Sequence, residues 1–370
     1  ETTAIENHSG LVDNLRNFKT DLKLISSSLK SVRPVAKQRH LVIATGDSAV
    51  FDLYLLNDTN APVMGRLTFS MRDPKGVTTE LKAFDCPRFE KDRFAYVVHE
   101  AFTTKPLRRE GAYSFRFELP SHPDSTFERE ILVVDSHPKR SKTLTVGIWQ
   151  LSADLRTQLE RIPAVAVQPF SEERTFDIIA TSARHIEAQG KKGEETGLED
   201  ARAQAGASAA VDLAFPPALL QQVRQGTSLL VVPETDPQTD ALARAVAALG
   251  AFEYRGLVGI LRAPWMGAWY FVRQHPVYDG LPVNCAMTTY YQVKGSQSNG
   301  LLVDGVNVEI IAAYSRDHDR NIGAGTFTSK IDRGTLLFHR VPPMHPVLQM
   351  RCVSNALAFL ADCTRRTRVS

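Results

Sequence analysis

The spacing of apolar side chains takes three forms in turn along this chain. Leu11, Leu15, Phe18, Leu22, Ile25 and Leu29 follow one another at intervals of four, three, four, three and four. That rhythm places them on one face of a helix, with Ser9 suited to its N-cap and Thr20-Asp21 a point where the run breaks. From Pro34 to Asp135 the period drops to two. His40 to Ile43, Ala49 to Leu56, Gly65 to Met71, Arg93 to Val98, Gly111 to Phe117 and Glu130 to Val134 read as strands. Turn signals separate them at Thr45-Gly46-Asp47, Asn57 to Asn60 and Asp73-Pro74-Lys75-Gly76. About seven short strands with no helical stretch predict an immunoglobulin-like β-sandwich.

Residues 136–142, Ser-His-Pro-Lys-Arg-Ser-Lys, form a polar linker. Beyond it, strands and helices alternate. Leu144 to Trp149 and Leu229 to Pro233 are continuous apolar runs of the kind a parallel sheet buries. Ala153 to Ile162 and Asp236 to Leu249 are helical, the second ending at Gly250. Val308 to Ala313 and Thr335 to Phe338 are further strands. A closing helix spans His345 to Cys363, with Pro346 in its first turn and Val353, Ala356, Leu357 and Leu360 facing inward. Alternation of this kind predicts a doubly wound α/β layer. The stretch Gly190 to Gly206 reads as a mobile loop or a weakly held helix. The domain reading is therefore 1–33 helical, 34–135 sandwich, 136–142 linker and 143–370 α/β.

At 370 residues the chain is long for a single core, which agrees with that division. Its 44 basic and 41 acidic side chains nearly cancel. This argues against a nucleic-acid surface, which needs clustered Lys and Arg. The clusters Lys139-Arg140-Ser141-Lys142 and Arg365-Arg366-Thr367-Arg368 read as a linker and an end. Nothing approaches the ~18–20 consecutive apolar residues of a membrane span. Cys86, Cys285, Cys352 and Cys363 form no C-x-x-C pair, so neither a zinc site nor any other cofactor is expected. Cys352 and Cys363 share the closing helix ~16 Å apart, beyond disulfide reach.

Candidate chemistry is sparse. A strand ending at Pro233-Glu234-Thr235 invites a nucleophile-elbow reading, but neither Gly-x-Ser-x-Gly nor Gly-x-Cys-x-Gly occurs. Cys285 lacks the flanking glycines and reads as a packed thiol rather than a nucleophile. There is no Gly-x-Gly-x-x-Gly and no phosphate-binding loop. Asp317-His318-Asp319 carries ligand-type groups, yet adjacent loop residues read better as a solvated turn. The densest aromatic stretch runs from Pro264 to Phe271 and continues through His275 to Pro282, with Tyr290 and Tyr291 just beyond. Trp265, Trp269, Tyr278 and Tyr290 there are candidates for glycan contact. The competing reading is that they close one end of the sheet or an interface.

Two stretches carry a family resemblance. One is the opening Glu-Thr-Thr-Ala-Ile-Glu-Asn-His-Ser-Gly-Leu-Val-Asp-Asn-Leu-Arg-Asn-Phe-Lys, followed by Arg33-Pro34-Val35-Ala36-Lys37 and Asp52 to Asp58. The other is His275-Pro276-Val277-Tyr278-Asp279-Gly280-Leu281-Pro282. Together they resemble the C-terminal part of a bacterial family 2 glycoside hydrolase, of the β-galactosidase and β-glucuronidase superfamily. The α/β region is similar to the amidotransferase-like (flavodoxin-like) domains appended to some glycosidases, which lack the catalytic cysteine. The resemblance implies that residues 1–33 close a (β/α)8 barrel lying upstream. It implies that Glu1, Asn7 and His8 line the rim of the parent's active site. The family's two catalytic glutamates, ~5 Å apart across the glycosidic bond, would then lie outside this chain. It also implies upstream barrel and sugar-binding domains as partners, a carbohydrate ligand, homo-oligomerisation, and periplasmic or secreted enzymes as kin. Two alternatives stand beside it: a free-standing carbohydrate-binding protein, and a hydrolase using Cys285.

Overall fold

The computed structural model describes residues 21–138, 142–183, 213–258, 268–284, 290–291, 300–316, 322–341 and 344–369. The chain divides into two compact units, Glu1–Asp135 and Ser136–Ser370.

In the first unit, helix α1 (Leu22–Ser28) starts at Asp21, whose carboxylate accepts a hydrogen bond from the Lys23 amide at 2.8 Å. The earlier part of the expected apolar stripe, Leu11 to Phe18, lies outside the described residues. Eight strands follow: β1 (Val32–Gln38), β2 (Val42–Ala44), β3 (Val50–Asn57), β4 (Arg66–Arg72), β5 (Thr78–Asp85), β6 (Ala95–Thr103), β7 (Gly111–Glu118) and β8 (Phe127–Val134). They form a three-stranded sheet, β1-β3-β6, and a five-stranded sheet, β2-β8-β7-β4-β5. The two-residue period has its physical cause here. In β3, Phe51, Leu53 and Leu55 are buried while Val50, Asp52 and Tyr54 stay half-exposed. Phe51 from one sheet meets Phe69 and Phe115 from the other at ring separations of 5.1 and 4.6 Å. One aromatic core thus holds both sheets. The turn after β4 follows its composition: Asp73 accepts from the amides of Lys75 and Val77, and Gly76 takes φ +84°.

The second unit is built on a ten-stranded sheet. Strands β9 (Leu144–Ile148), β10 (Val165–Pro169), β11 (Ile178–Thr181), β12 (Ser228–Val231) and β18 (Gly334–His339) run parallel in the order β10-β9-β11-β12-β18. Helices α3 (Pro217–Arg224) and α4 (Asp236–Ala247) cover one face, packing on Leu229, Val231, Leu336 and Phe338. Helices α2 (Ala153–Glu160) and α5 (Pro346–Val369) meet on the other. There the Ser228 hydroxyl donates to the Leu360 carbonyl at 3.0 Å, and Thr364 accepts from the Ser228 amide at 3.1 Å.

The doubly wound expectation covers only this parallel half. Past β18 the sheet turns antiparallel through β17 (Gly323–Ile331), β15 (Leu301–Asp304) and β13 (Glu253–Leu257). A branch leads from β17 to β16 (Glu309–Arg316) and β14 (Ala268–Val272). The architecture is thus one all-β unit and one unit with helices on a mixed sheet. The closing helix also runs farther than the apolar stripe implied, to Val369, because its last turns are pinned. Arg368 donates to the Phe176 carbonyl, and Thr364 to the Asp177 carbonyl, each at 2.8 Å.

Candidate functional site

Strand order singles out one place in the second unit. The chain leaves β9 for β10 on one side, and later returns to place β11 on the other. The carboxyl ends of β9 and β11 therefore flank a topological switch point, where ligands bind in open parallel sheets. Three segments arrive there: Trp149-Gln150-Leu151-Ser152 after β9, Ser182-Ala183 after β11, and Val232-Pro233-Glu234-Thr235 after β12.

These segments are tied together by polar side chains. The Ser152 Oγ caps α2 by accepting from the Leu155 amide at 3.2 Å, and donates to Glu234 Oε1 at 2.7 Å. The Ser152 amide donates to Ser182 Oγ at 2.8 Å, and that hydroxyl donates to the Gln150 carbonyl at 3.3 Å. Thr235 and Gln238 form a reciprocal capping box at the start of α4, and Gln238 Oε1 also accepts from the Glu234 amide at 2.9 Å. Gln150 and Ala183 both hold left-handed backbone, at φ +50° and +54°. Such conformations are costly for residues other than glycine and are kept where surrounding structure imposes them. The protons of Ser152 and Ser182 are engaged. Gln150 Oε1 is enclosed by protein atoms and has no hydrogen-bond partner. The Glu234 side chain is exposed. Close by, Arg340 follows β18 and its nearly buried guanidinium pairs with Asp236.

A second polar cluster carries groups of catalytic type but lies sealed in the core. The hydroxyls of Tyr270 and Tyr278 meet at 2.7 Å, and each also meets Thr326 Oγ1, at 3.2 and 3.1 Å. Thr326 Oγ1 lies 2.9 Å from His339 Nδ1, and His339 Nε2 lies 3.4 Å from the Cys352 thiol. Burial pushes the Cys352 thiol far up and lowers His339 to about 4. It raises both tyrosines well above their ordinary range. All five groups are therefore neutral near pH 7. The thiol is no nucleophile there, since reactivity needs the thiolate. A satisfied network of this kind fixes the packing of the elements that supply it.

The residues singled out from sequence fall in different places. Glu1, Asn7, His8, Trp265, Cys285 and Asp317-His318-Asp319 lie outside the described residues. Trp269 stands on β14 opposite Ser315 of β16. Tyr290 is half-buried beside Tyr291, whose hydroxyl donates to the Pro282 carbonyl at 2.7 Å. Tyr278 is fully buried, so its ring is unavailable to a glycan and its role is the hydrogen-bonded core just described. The whole His275–Asp279 turn is clamped onto α5. His275 meets Phe359 edge-on at 4.7 Å, and Asn355 and Arg351 donate to the Asp279 carbonyl at 2.8 and 3.0 Å. The switch-point residues Gln150, Ser152, Ser182 and Glu234 were not among the sequence candidates. They come from three separated segments and share no motif. The one available signal was polar residues just past each apolar strand.

No family model matches this chain, and no curated protein matches it. Among solved structures, a β-glucosidase from Listeria innocua in complex with glucose superposes over 28% of this chain and 16% of its own, at 10% identity and TM-score 0.23. The alkylpurine DNA glycosylase AlkC of Pseudomonas fluorescens superposes over 30% of this chain and 33% of its own, at 16% identity and TM-score 0.20. The match thus takes in a small part of either protein. Likeness at this level identifies no family and bears on no activity.

Proposed function

We propose that this chain is the non-catalytic C-terminal part of a longer family 2 glycoside hydrolase. In this reading the first unit is an immunoglobulin-like module that braces an upstream barrel. The second is an amidotransferase-like domain that has kept the fold and not the chemistry. The parent would cleave β-glycosides with two glutamates borne on earlier barrel strands.

One observation carries the non-catalytic part of this reading. The thiol and imidazole that the second unit does bring together, Cys352 and His339, are core groups held neutral by burial. The strand-to-helix turn after β12, where an elbow would stand, reads Pro233-Glu234-Thr235 and holds no cysteine. The family assignment itself is supported by the sequence motifs. The most specific of them, His275 to Pro282, is here the segment that locks the closing helix, a scaffold role.

The test is an assay of the purified 370-residue chain against a panel of aryl β-glycosides. No turnover is expected. Turnover that copurifies with the chain and disappears in Glu234→Gln would contradict the reading.

A further inference from the structure

We propose that Asp304-Gly305 is a site of spontaneous covalent modification. The Gly305 amide nitrogen closes on the Asp304 carboxyl to give a cyclic imide, which opens to an isoaspartyl linkage. The inference needs only the second unit and is independent of the family reading.

Local geometry carries the argument. Asp304 ends β15, and the Gly305 amide donates to its Oδ1 at 2.8 Å. The nitrogen is thus already beside the carboxyl carbon it must attack, and reactants held in contact have little freedom left to lose on closing the ring. The backbone at Gly305, with φ +155°, calls for glycine, so no side chain crowds the approach. Asp304, Gly305, Val306 and Asn307 are all exposed, and water can leave and return. Arg255 reaches Asp304 Oδ2 at 3.4 Å, but both side chains are exposed and solvent weakens such a pair.

The chemistry needs no cofactor and balances as a loss and gain of water. The bond from the Gly305 nitrogen to Asp304 Cγ forms as a Cγ–O bond of the neutral carboxyl breaks. The departing hydroxyl takes the amide proton and leaves as water. Water then opens the imide at one of its two carbonyls. Attack at Cγ restores aspartate. Attack at the main-chain carbonyl leaves Gly305 joined through Cγ, lengthens the backbone by one methylene and frees a carboxylate on Cα. The extra methylene falls at the end of β15, where Asp304 faces Glu253 and the Gly305 carbonyl accepts from the Val308 amide at 3.1 Å.

The chain has one other Asp-Gly pair, Asp279-Gly280, and the fold treats it differently. Its aspartate carbonyl accepts from Asn355 at 2.8 Å and from Arg351 at 3.0 Å. That carbonyl must turn to become part of an imide, so the clamp opposes the reaction. The Asp279 carboxylate also leans towards the nearly buried Arg351, with Oδ2 at 3.6 Å. The two pairs share a sequence, and only the structure separates them.

The experiment ages the full chain at neutral pH in water enriched in oxygen-18, folded and in guanidinium chloride. Every imide that opens leaves a heavy oxygen on the residue that formed it, and tandem mass spectrometry of peptides locates the label. In the folded chain, label at Asp304 is expected to grow about tenfold faster than at Asp279, where the clamp's hydrogen bonds must first break. In guanidinium chloride the two sites should label at similar rates. Resistance of the Val303–Asp304 bond to endoproteinase Asp-N, which cuts before aspartate and not before isoaspartate, should rise with the label. Label at Asp279 equal to or above that at Asp304 in the folded chain would overturn the proposal, as would no label at Asp304. A difference between the sites that persists in guanidinium chloride would also overturn it, by assigning the effect to neighbouring sequence rather than to the fold.

Discussion

Replacing Asn355 by alanine tests whether the His275–Asp279 turn is held to the closing helix as described. Asn355 is 7% exposed, and its Nδ2 donates to the Asp279 carbonyl at 2.8 Å and to the Val277 carbonyl at 3.3 Å. Each such bond contributes about 1 kcal/mol net. Neither carbonyl is orphaned by the change. Asp279 keeps the Arg351 Nε at 3.0 Å, and Val277 keeps the Cys352 thiol at 3.6 Å. The expected loss is therefore about 2 kcal/mol, the sum of two bonds with no penalty for an unsatisfied acceptor. In a unit of this size that lowers Tm by roughly 4–8 °C.

Arg351→Ala alone leaves the Asp279 carbonyl with Asn355, whereas the double variant strips it of both. The double loss should exceed the sum of the singles by about 1 kcal/mol. The assay isolates the right unit, because all three tryptophans, Trp149, Trp265 and Trp269, lie in Ser136–Ser370. Urea unfolding followed by tryptophan fluorescence reports that unit alone. A change below about 0.5 kcal/mol for Asn355→Ala, or strict additivity in the double variant, would refute the clamp.

Three further outcomes follow from the same structure. Gly323→Ala should destabilise the second unit severely, because a Cβ there would collide with the backbone of Gly300 and lie 2.6 Å from Val258 Cγ2, whereas Gly250→Ala, with open space around it at φ +79°, should cost only about 1 kcal/mol; comparable urea midpoints for the two variants would contradict this. In the folded chain at pH 8, Cys352 should resist iodoacetamide and become labelled only in urea, since burial keeps it a thiol; peptide mass spectrometry showing labelling without denaturant would contradict a sealed core. His339, lowered to about 4 from 6.5 by burial, is neutral in both states above pH 7. As pH falls below 6.5 the unfolded chain takes up the proton first, so stability is present at neutral pH and drains away between about 6.5 and 4, by roughly 3 kcal/mol in all. The tryptophan-monitored urea midpoint should therefore drop from pH 7 to pH 4.5, and a flat profile would refute it.

Much of the framework was legible because local chemistry and tertiary demand agree. The run from Leu229 to Val232 is apolar at every position because both faces of β12 are covered by helices. The turn at Asp73 to Gly76 announces itself by residues that satisfy their own backbone. The antiparallel half of the second sheet was far less legible. β17 reads Gly-Ala-Gly-Thr-Phe-Thr-Ser-Lys-Ile, a sequence with neither alternation nor a long apolar run. It is buried because its small residues let neighbours close in and its hydroxyls find partners. Gly325 lies against Tyr314 and Tyr270, Thr326 joins the tyrosine–histidine network, and Ser329 bonds the Ala251 carbonyl. The switch-point groups escaped for a different reason. Gln150 and Ser152, Ser182, and Glu234 are unremarkable residues in three separate segments, and only the strand order β10-β9-β11-β12 brings those segments together. Tyr278 misled because an aromatic with a polar tip suits a sugar site and a hydrogen-bonded core equally.

The most direct measurement of the central claim is the intact mass and N-terminal sequence of the protein as its natural source makes it, with the same fraction assayed on aryl β-glycosides. The account predicts a polypeptide substantially longer than 370 residues that hydrolyses them. A polypeptide beginning near Glu1 and inactive on every β-glycoside would contradict it.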